Sequence, residues 1–376
     1  CMSAPAGNIA GAAQPLETRR GMAYVQHPYI DREASVLRAV ARKTRSRRRA
    51  LAVSLFVMIL ALAAASLMVG PAALTYDEII QGLRGEDAAL RAIVVDIRLP
   101  RTLLAAAVGA VLGICGAAAQ ALTRNALADP AVFGAPQAAA LGAVCVLYFG
   151  FANALSLTLP IVAICGALAS MLVIVALAAK RAHVTTLLLA GIAVGSLCGA
   201  AISLALSLSP NPYATSEIVF WLLGSFSDRT FQHILLSAPF MIASVAILLR
   251  CGPAYRALTL GEDTASVLGV HVGLVSVATA LAIALGVGAA TAVSGAIGFI
   301  GLMAPHFVRR RCGGDPQAVL VPAGLVGSLL LLGSDICVRL VPATTELRVG
   351  ALTALLGAPF FLYVVFSGRA ALGNVR

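Results

Sequence analysis

The chain has 376 residues, of which 60% are hydrophobic and only 11% charged, with a formal net charge of +11. A soluble domain of this length needs a polar surface that such a composition cannot supply. Near-continuous runs of Ala, Leu, Val, Ile and Gly exclude a membrane β-barrel, whose strands alternate over roughly ten residues. An all-α polytopic membrane protein is what remains.

Residues 1–49 are polar and end in the basic run Arg42-Lys43-Thr44-Arg45-Ser46-Arg47-Arg48-Arg49. An apolar span follows directly. The leader is too long for a signal peptide and no small-residue cleavage site follows, so residues 1–49 read as a disordered cytoplasmic tail before a retained first helix. The transmembrane domain then covers 50–376. Apolar runs near twenty residues, bounded by Pro, Gly or charge, fall at about 50–70, 101–121, 132–150, 155–178, 185–208, 231–250, 271–292, 296–310, 317–338 and 350–367. The eighth is short, and Gly295, Gly298 and Gly301 blur its start. An even count puts both termini on one side. Twenty basic residues then fall on the terminal side against seven opposite, the Arg309-Arg310-Arg311 run being the clearest, so the positive-inside rule places both termini in the cytoplasm.

Glycines recur four apart, at Gly109 and Gly113 and at Gly191, Gly195 and Gly199. Such rows let helix backbones approach closely where lipid gives no hydrophobic drive for association. The eight cysteines are scattered through apolar runs with no CxxC or Cys/His cluster, as expected of small packing residues. No bound metal or cofactor is expected.

Several chemistries are missing from the sequence. There is no phosphate loop, and neither lysine, Lys43 or Lys180, follows a glycine. No HExxH and no nucleophile–base pair points to a membrane-embedded enzyme. Carboxylates are absent from mid-span, where ion-driven carriers keep their relays. Asp335 comes closest, but it lies near a helix end with Arg339 four residues on, where the two can pair. A transport-like bundle without an ATP site or an ion-coupling site must draw its energy from a partner. A secondary transporter would instead need an essential intramembrane carboxylate.

One short polar insert interrupts the apolar pattern after span six: LTLGEDTASVLGV, Leu258 to Val270. Gly261 can break one helix, Glu262, Asp263 and Thr264 make a favourable first turn for the next, and Gly269 can end it. Two short helices at about 256–270 are expected, with Ala265, Leu268 and Val270 forming an exposed apolar edge. Such an edge on a cytosolic loop calls for a protein partner, a merely solvated connector being the competing reading.

The insert resembles the coupling loop of the ABC importer permeases that carry cobalamin, iron-siderophores and haem, the FecCD-like type II importers. Further stretches resemble the same family in order: RLPRTLLAAAVGAVLGICGAAAQALTRNALADP at 98–130, LLLAGIAVGSL at 187–197, FWLLGSFSD at 220–228, SGAIGFIGLMAPHFVRR at 294–310 and GALTALLGAPFFLYVV at 350–365. The resemblance covers about residues 50–370 and looks closest to the haem permeases.

The family resemblance implies ten helices per subunit, a homodimer of permeases in the bacterial inner membrane, two cytosolic ATPases that hold ATP and Mg, and a periplasmic binding protein. The chain itself would not be catalytic, and no nucleic acid is involved. Haem is the first expected cargo, an iron-siderophore the second and cobalamin the third. Leu260, Gly261, Glu262, Ala265, Leu268 and Gly269 would engage the ATPase. Arg98, Arg101 and Arg339 would dock the binding protein, with ordinary interfacial anchoring as the competing reading. Arg348, which stands in ELRVG where relatives often read ELPVG, would strengthen that docking or meet an anionic ligand such as a haem propionate. Gln120, Asn125, Gly191 and Gly195 are candidates for the translocation path or gate. For Gly191 and Gly195 helix packing is the competing reading; for Gln120 and Asn125 it is satisfying the backbone near 128–130. RNALADP, with Ala126 where many relatives have proline, is the other departure.

Overall fold

The computed structural model of the chain describes residues 28–72, 74–151, 156–178, 184–209, 212–341 and 347–373, with side chains between Ser46 and Phe366. The chain divides into two units, 1–47 and 48–376.

All regular structure among the described residues is helical. In chain order the α-helices are α1 (Pro28–Met68), α2 (Tyr76–Arg84), α3 (Ala88–Arg91), α4 (Leu99–Thr123), α5 (Ala135–Tyr148), α6 (Thr158–Ala178), α7 (Val184–Ser207) and α8 (Pro212–Leu222). They continue with α9 (Phe231–Arg250), α10 (Gly252–Leu258), α11 (Glu262–Val267), α12 (Val272–Ser294), α13 (Ile300–Arg309), α14 (Pro316–Leu340) and α15 (Val349–Gly373). Eight stretches are long and apolar enough to cross a membrane. The fourteen-residue α5 and ten-residue α13 overlie the two remaining expected spans. α13 is short because α12 ends at Ser294 and the chain re-enters helix only at Ile300, after Phe299 takes a left-handed turn.

The expected domain boundary at 49/50 lies close to the division between the two units at 47/48. Residues 28–49, expected as disordered tail, form the first part of α1, and residues 1–27 lie outside the described residues.

Local chemistry sets the element ends. Thr75 and Glu78 form a reciprocal capping box at the start of α2, and Asp87 caps α3. A π-helical turn at Ala92–Arg98 leads into α4, whose second residue is Pro100. Asp129 accepts from the Ala131 N–H at 2.8 Å and starts a 3-10 turn, Pro130–Phe133, ahead of α5.

The core is drawn together by the glycine rows. A methyl on Gly109 would collide with the Gly327 carbonyl, one on Gly113 with that of Ala323, and one on Gly116 with that of Gly301. α4 therefore lies backbone to backbone against α14 and α13. By contrast α1, α7 and α15 turn large apolar side chains outward, among them Val57, Leu60, Leu189, Leu197, Leu355 and Phe366.

Candidate functional site

The insert forms the expected helix pair. α10 is anchored by Tyr255 and Leu258, both fully buried, and the Tyr255 hydroxyl shares a 2.8 Å hydrogen bond with Thr279 of α12. Gly261 (φ 102°) and Gly269 (φ 86°) both lie in the backbone region that disfavours a side chain, so they fix where α11 starts and stops. The end of α11 is a Schellman closure: the Val270 N–H donates to the Ala265 carbonyl and the Gly269 N–H to that of Ser266, both at 3.0 Å.

The exposed edge differs from the expected one. Ala265 is wholly buried and faces the bundle, so its assignment to the partner face is corrected. Leu260 and Leu268 do stand outward, at 62% and 61% exposed, and Val267, which the sequence reading passed over, is exposed at 87%. Glu262 lies 3.6 Å from Arg124, both partly exposed, a pairing too solvated to hold the loop firmly.

Asp315 ties this end of the bundle together. It caps α14 through the Gln317 N–H at 3.2 Å and accepts from Arg48 of α1 and Arg256 of α10, each at 3.2 Å. Burial by itself would raise the Asp315 carboxyl, but the hydrogen bond from Arg256 and the charges of Arg256 and Arg48 outweigh it and hold the carboxyl below its ordinary value. Arg48 also donates to the Cys312 carbonyl at 2.8 Å.

At the opposite end, three of the four arginines expected to dock the binding protein have buried side chains. Arg98 donates to the Leu67 and Met68 carbonyls at 2.6 and 3.2 Å, satisfying the end of α1. Arg339 donates to the Ser66 and Val69 carbonyls at 2.8 and 2.7 Å. Asp335, 0% exposed, pairs with Arg339 at 2.9 Å and with Arg101 at 3.0 Å. The expected pairing of Asp335 with Arg339 is present, and Arg101 adds a second guanidinium. Arg98, Arg101 and Arg339, expected to dock the binding protein, are thus each committed to partners within the chain.

Arg348 is different. It is half-buried, with its guanidinium carbon 5.0 Å from the centre of the Phe220 ring. It lines a cavity of about 360 Å³ together with Tyr213, Glu217, Trp221, Asp228 and Arg229. Arg229 is buried there, and burial pushes its pKa down while the charge of Asp228 works to raise it. Arg101 reaches toward this cavity through Ser227, 3.5 Å away. Phe220 and Trp221 appeared in the sequence only as members of FWLLGSFSD, and the one signal that singled out this place was the arginine in ELRVG.

The path and gate candidates all make contacts within the chain. A Cβ on Gly191 would stand 2.5 Å from the Val132 carbonyl oxygen, and one on Gly195 3.3 Å from the Gly134 Cα. Both seat α7 on the turn before α5, which is the packing reading, whereas Gly199 meets nothing. Gln120 is buried, donates to the Leu302 carbonyl at 3.3 Å and accepts from Arg309, bridging α4 to α13. Asn125 is exposed and accepts from the Leu127 N–H at 2.9 Å, so it shapes the turn after α4.

An all-helical bundle, glycine-packed through its spans and presenting a short helix pair beyond them, is the fold of a type II ABC importer permease. The chain belongs to the FecCD transport family, whose model matches residues 57–367. It is similar to a hemin transport system permease of Yersinia pestis, at 38% identity over 73% of this chain and 83% of that protein. It is also similar to a vitamin B12 import permease of Vibrio cholerae, at 36% over 73% and 82%, and to an Fe(3+)-citrate import permease of Bacillus subtilis, at 32% over 86% and 97%. Among solved structures it matches a metal-chelate type ABC transporter in an inward-facing conformation, with a TM-score of 0.77 and 28% identity, covering 85% of this chain and 99% of the other.

Proposed function

We propose that this chain is the non-hydrolytic, membrane-spanning subunit of an ATP-driven importer that carries an iron chelate, haem first, across a bacterial inner membrane into the cytoplasm. The observation that carries the reading is the α10–α11 pair, pinned to the bundle by Tyr255, Leu258 and Ala265 while Leu260, Val267 and Leu268 face outward. Apolar side chains held at a fixed angle outside the spans suit a groove on a partner that moves.

On this reading both termini and the helix pair are cytoplasmic, and two copies of the chain stand above two ATPases, which bind the ATP and Mg. A binding protein delivers cargo at the Arg348 end. The apolar faces of α7 and α15 then meet lipid or the second copy. Haem ranks first because the hemin permease of Yersinia pestis is among the most similar relatives; an iron-siderophore or cobalamin permease is the nearest alternative. An ion-gradient carrier is disfavoured because Asp335, the one buried carboxylate among the spans described, is held by two guanidinium groups and not poised to exchange a cation.

The test is uptake into proteoliposomes holding the chain with its candidate ATPase and binding protein, comparing haem, a ferric siderophore and cobalamin. ATP-dependent uptake that needs all three proteins and is abolished in Glu262→Arg/Leu268→Asp supports the reading. Uptake that persists without the ATPase and follows an ion gradient overturns it.

A further inference from the structure

We infer that the cavity beside Arg348 is a receiving site for a planar aromatic ligand that carries carboxylates along one edge. The inference rests on the haem reading above and assigns it a place in the molecule.

Phe220 and Trp221 lie at the end of α8, and Arg348 approaches from the residue before α15. The guanidinium sits 5.0 Å from the Phe220 ring centre, within the range of a cation–π contact. A stacked guanidinium uses its face for the ring and keeps its in-plane N–H groups for acceptors. Arg348 Nε and Trp221 Nε1 are both buried without a hydrogen-bond partner among the described residues. No carboxylate forms an ion pair with Arg348 among the described residues, whereas Arg229 has the charge of Asp228 beside it.

A ligand carboxylate would supply the missing acceptor and could bind the guanidinium edge in bidentate fashion. The aromatic remainder would find the Tyr213 and Phe220 rings, which are 88% and 50% exposed. Glu217 and Asp228 also line the cavity. A ligand negative on all sides would be repelled there, while one with its charge confined to a single edge would not. Haem has that distribution, with both propionates on one edge of a flat apolar macrocycle. Cobalamin, whose side chains are amides, and ferric citrate, which has no aromatic plane, do not. A docking carboxylate from a partner protein is the competing occupant. Arg348 is only half exposed and lies in a concave wall, which suits a small ligand better than a protein surface.

Trp221 is the only tryptophan in the chain, so its fluorescence reports this cavity directly. The experiment titrates the full chain, in nanodiscs of zwitterionic lipid, with ferric protoporphyrin IX and with its dimethyl ester. Wild type and Arg84→Gln, which removes an exposed arginine outside the cavity, should show the same saturable quenching by the free acid. Arg348→Gln should need about tenfold more, in line with loss of a hydrogen bond to a charged group. Arg348→Lys should fall between. The ester should quench weakly and equally in wild type and Arg348→Gln.

Arg348→Gln titrating like wild type, or the ester binding as tightly as the acid, would overturn the site. So would an unchanged porphyrin titration alongside weakened capture of the binding protein, which would make Arg348 a docking residue. Saturable, Arg348-dependent quenching without haem uptake in the proteoliposome assay would retain the site and reject haem as cargo. Haem uptake without such quenching would do the reverse.

Discussion

Asp335 is the residue whose removal should damage the fold most for its size. It is completely buried and faces Arg101 at 3.0 Å and Arg339 at 2.9 Å, both themselves nearly sealed from solvent. Asp335→Leu would leave two guanidinium groups buried with no counter-charge. Breaking a buried ion pair by deleting one partner costs about 3–5 kcal/mol, because an uncompensated charge is left behind. Arg101→Met should cost less, since Asp335 keeps Arg339 and the methionine fills part of the space. The double variant should recover part of the Asp335→Leu loss, because one stranded charge is gone. Full recovery is not expected, as Arg339 remains without its carboxylate. At roughly 2 °C per kcal/mol for a chain of this size, Asp335→Leu should lower the apparent melting temperature in detergent by about 6–10 °C, read by fluorescence-detected size exclusion after heating. The reasoning fails if Asp335→Leu melts within about 2 °C of wild type, or if Arg101→Met is equally damaging.

Three further outcomes follow from the geometry. Val267→Asp changes a side chain that touches almost nothing, so stability should stay within about 0.5 kcal/mol while ATP-driven uptake falls at least tenfold; a melting shift with uptake intact would reverse the assignment. Gly116→Ala forces a methyl into the Gly301 backbone and should cost about 1–3 kcal/mol or more, whereas Gly199→Ala, with open space around it, should be neutral by the same melting assay. The Asp315 carboxyl is held below its ordinary value, so its contribution is fully present above about pH 4 and fades as pH falls through the lowered value; the melting gap between wild type and Asp315→Asn should be constant from pH 6 to 5 and close toward pH 3.

Much of the architecture was legible because lipid enforces it. Every expected span coincides with a helix, since backbone groups in hydrocarbon have no other way to be satisfied. The helix pair was legible for a local reason: Gly261 and Gly269 sit where the chain needs positive φ, and the acids between them favour a helix start. What failed was rotation. α11 has only six residues, too few for periodicity to say which side faces inward, and the inclusion of Ala265 in the bundle core decides that. The pairing of Asp335 with Arg339 was readable from its spacing of four, but Arg101 comes from 234 residues away and left no local trace. Gly191, Gly195 and Gly199 looked equivalent, yet only the first two meet a neighbouring backbone. The cavity at Arg348 was signalled by the arginine of ELRVG alone, and its aromatic walls could not be inferred from sequence distance.

The way α10 is fastened bears on how a push at the helix pair could travel. Tyr255 binds it to α12 through Thr279, Arg256 binds it to α14 through Asp315, and Asp315 in turn holds Arg48 of α1. α14 is pressed backbone to backbone on α4, and the far ends of α1, α4 and α14 are locked by Arg98, Arg101, Asp335 and Arg339. Close packing resists shear between these helices, so a displacement of α10 is shared by α4 and α14 along their length. The ion cluster at the far end thus does more than neutralise its own charges. It joins α1, α4 and α14, and Ser227, within reach of Arg101, lies on the wall of the Arg348 cavity. On the proposed reading, a rigid shaft from α10 to that wall is the physical basis on which a partner at the helix pair would alter the proposed ligand site at the opposite end.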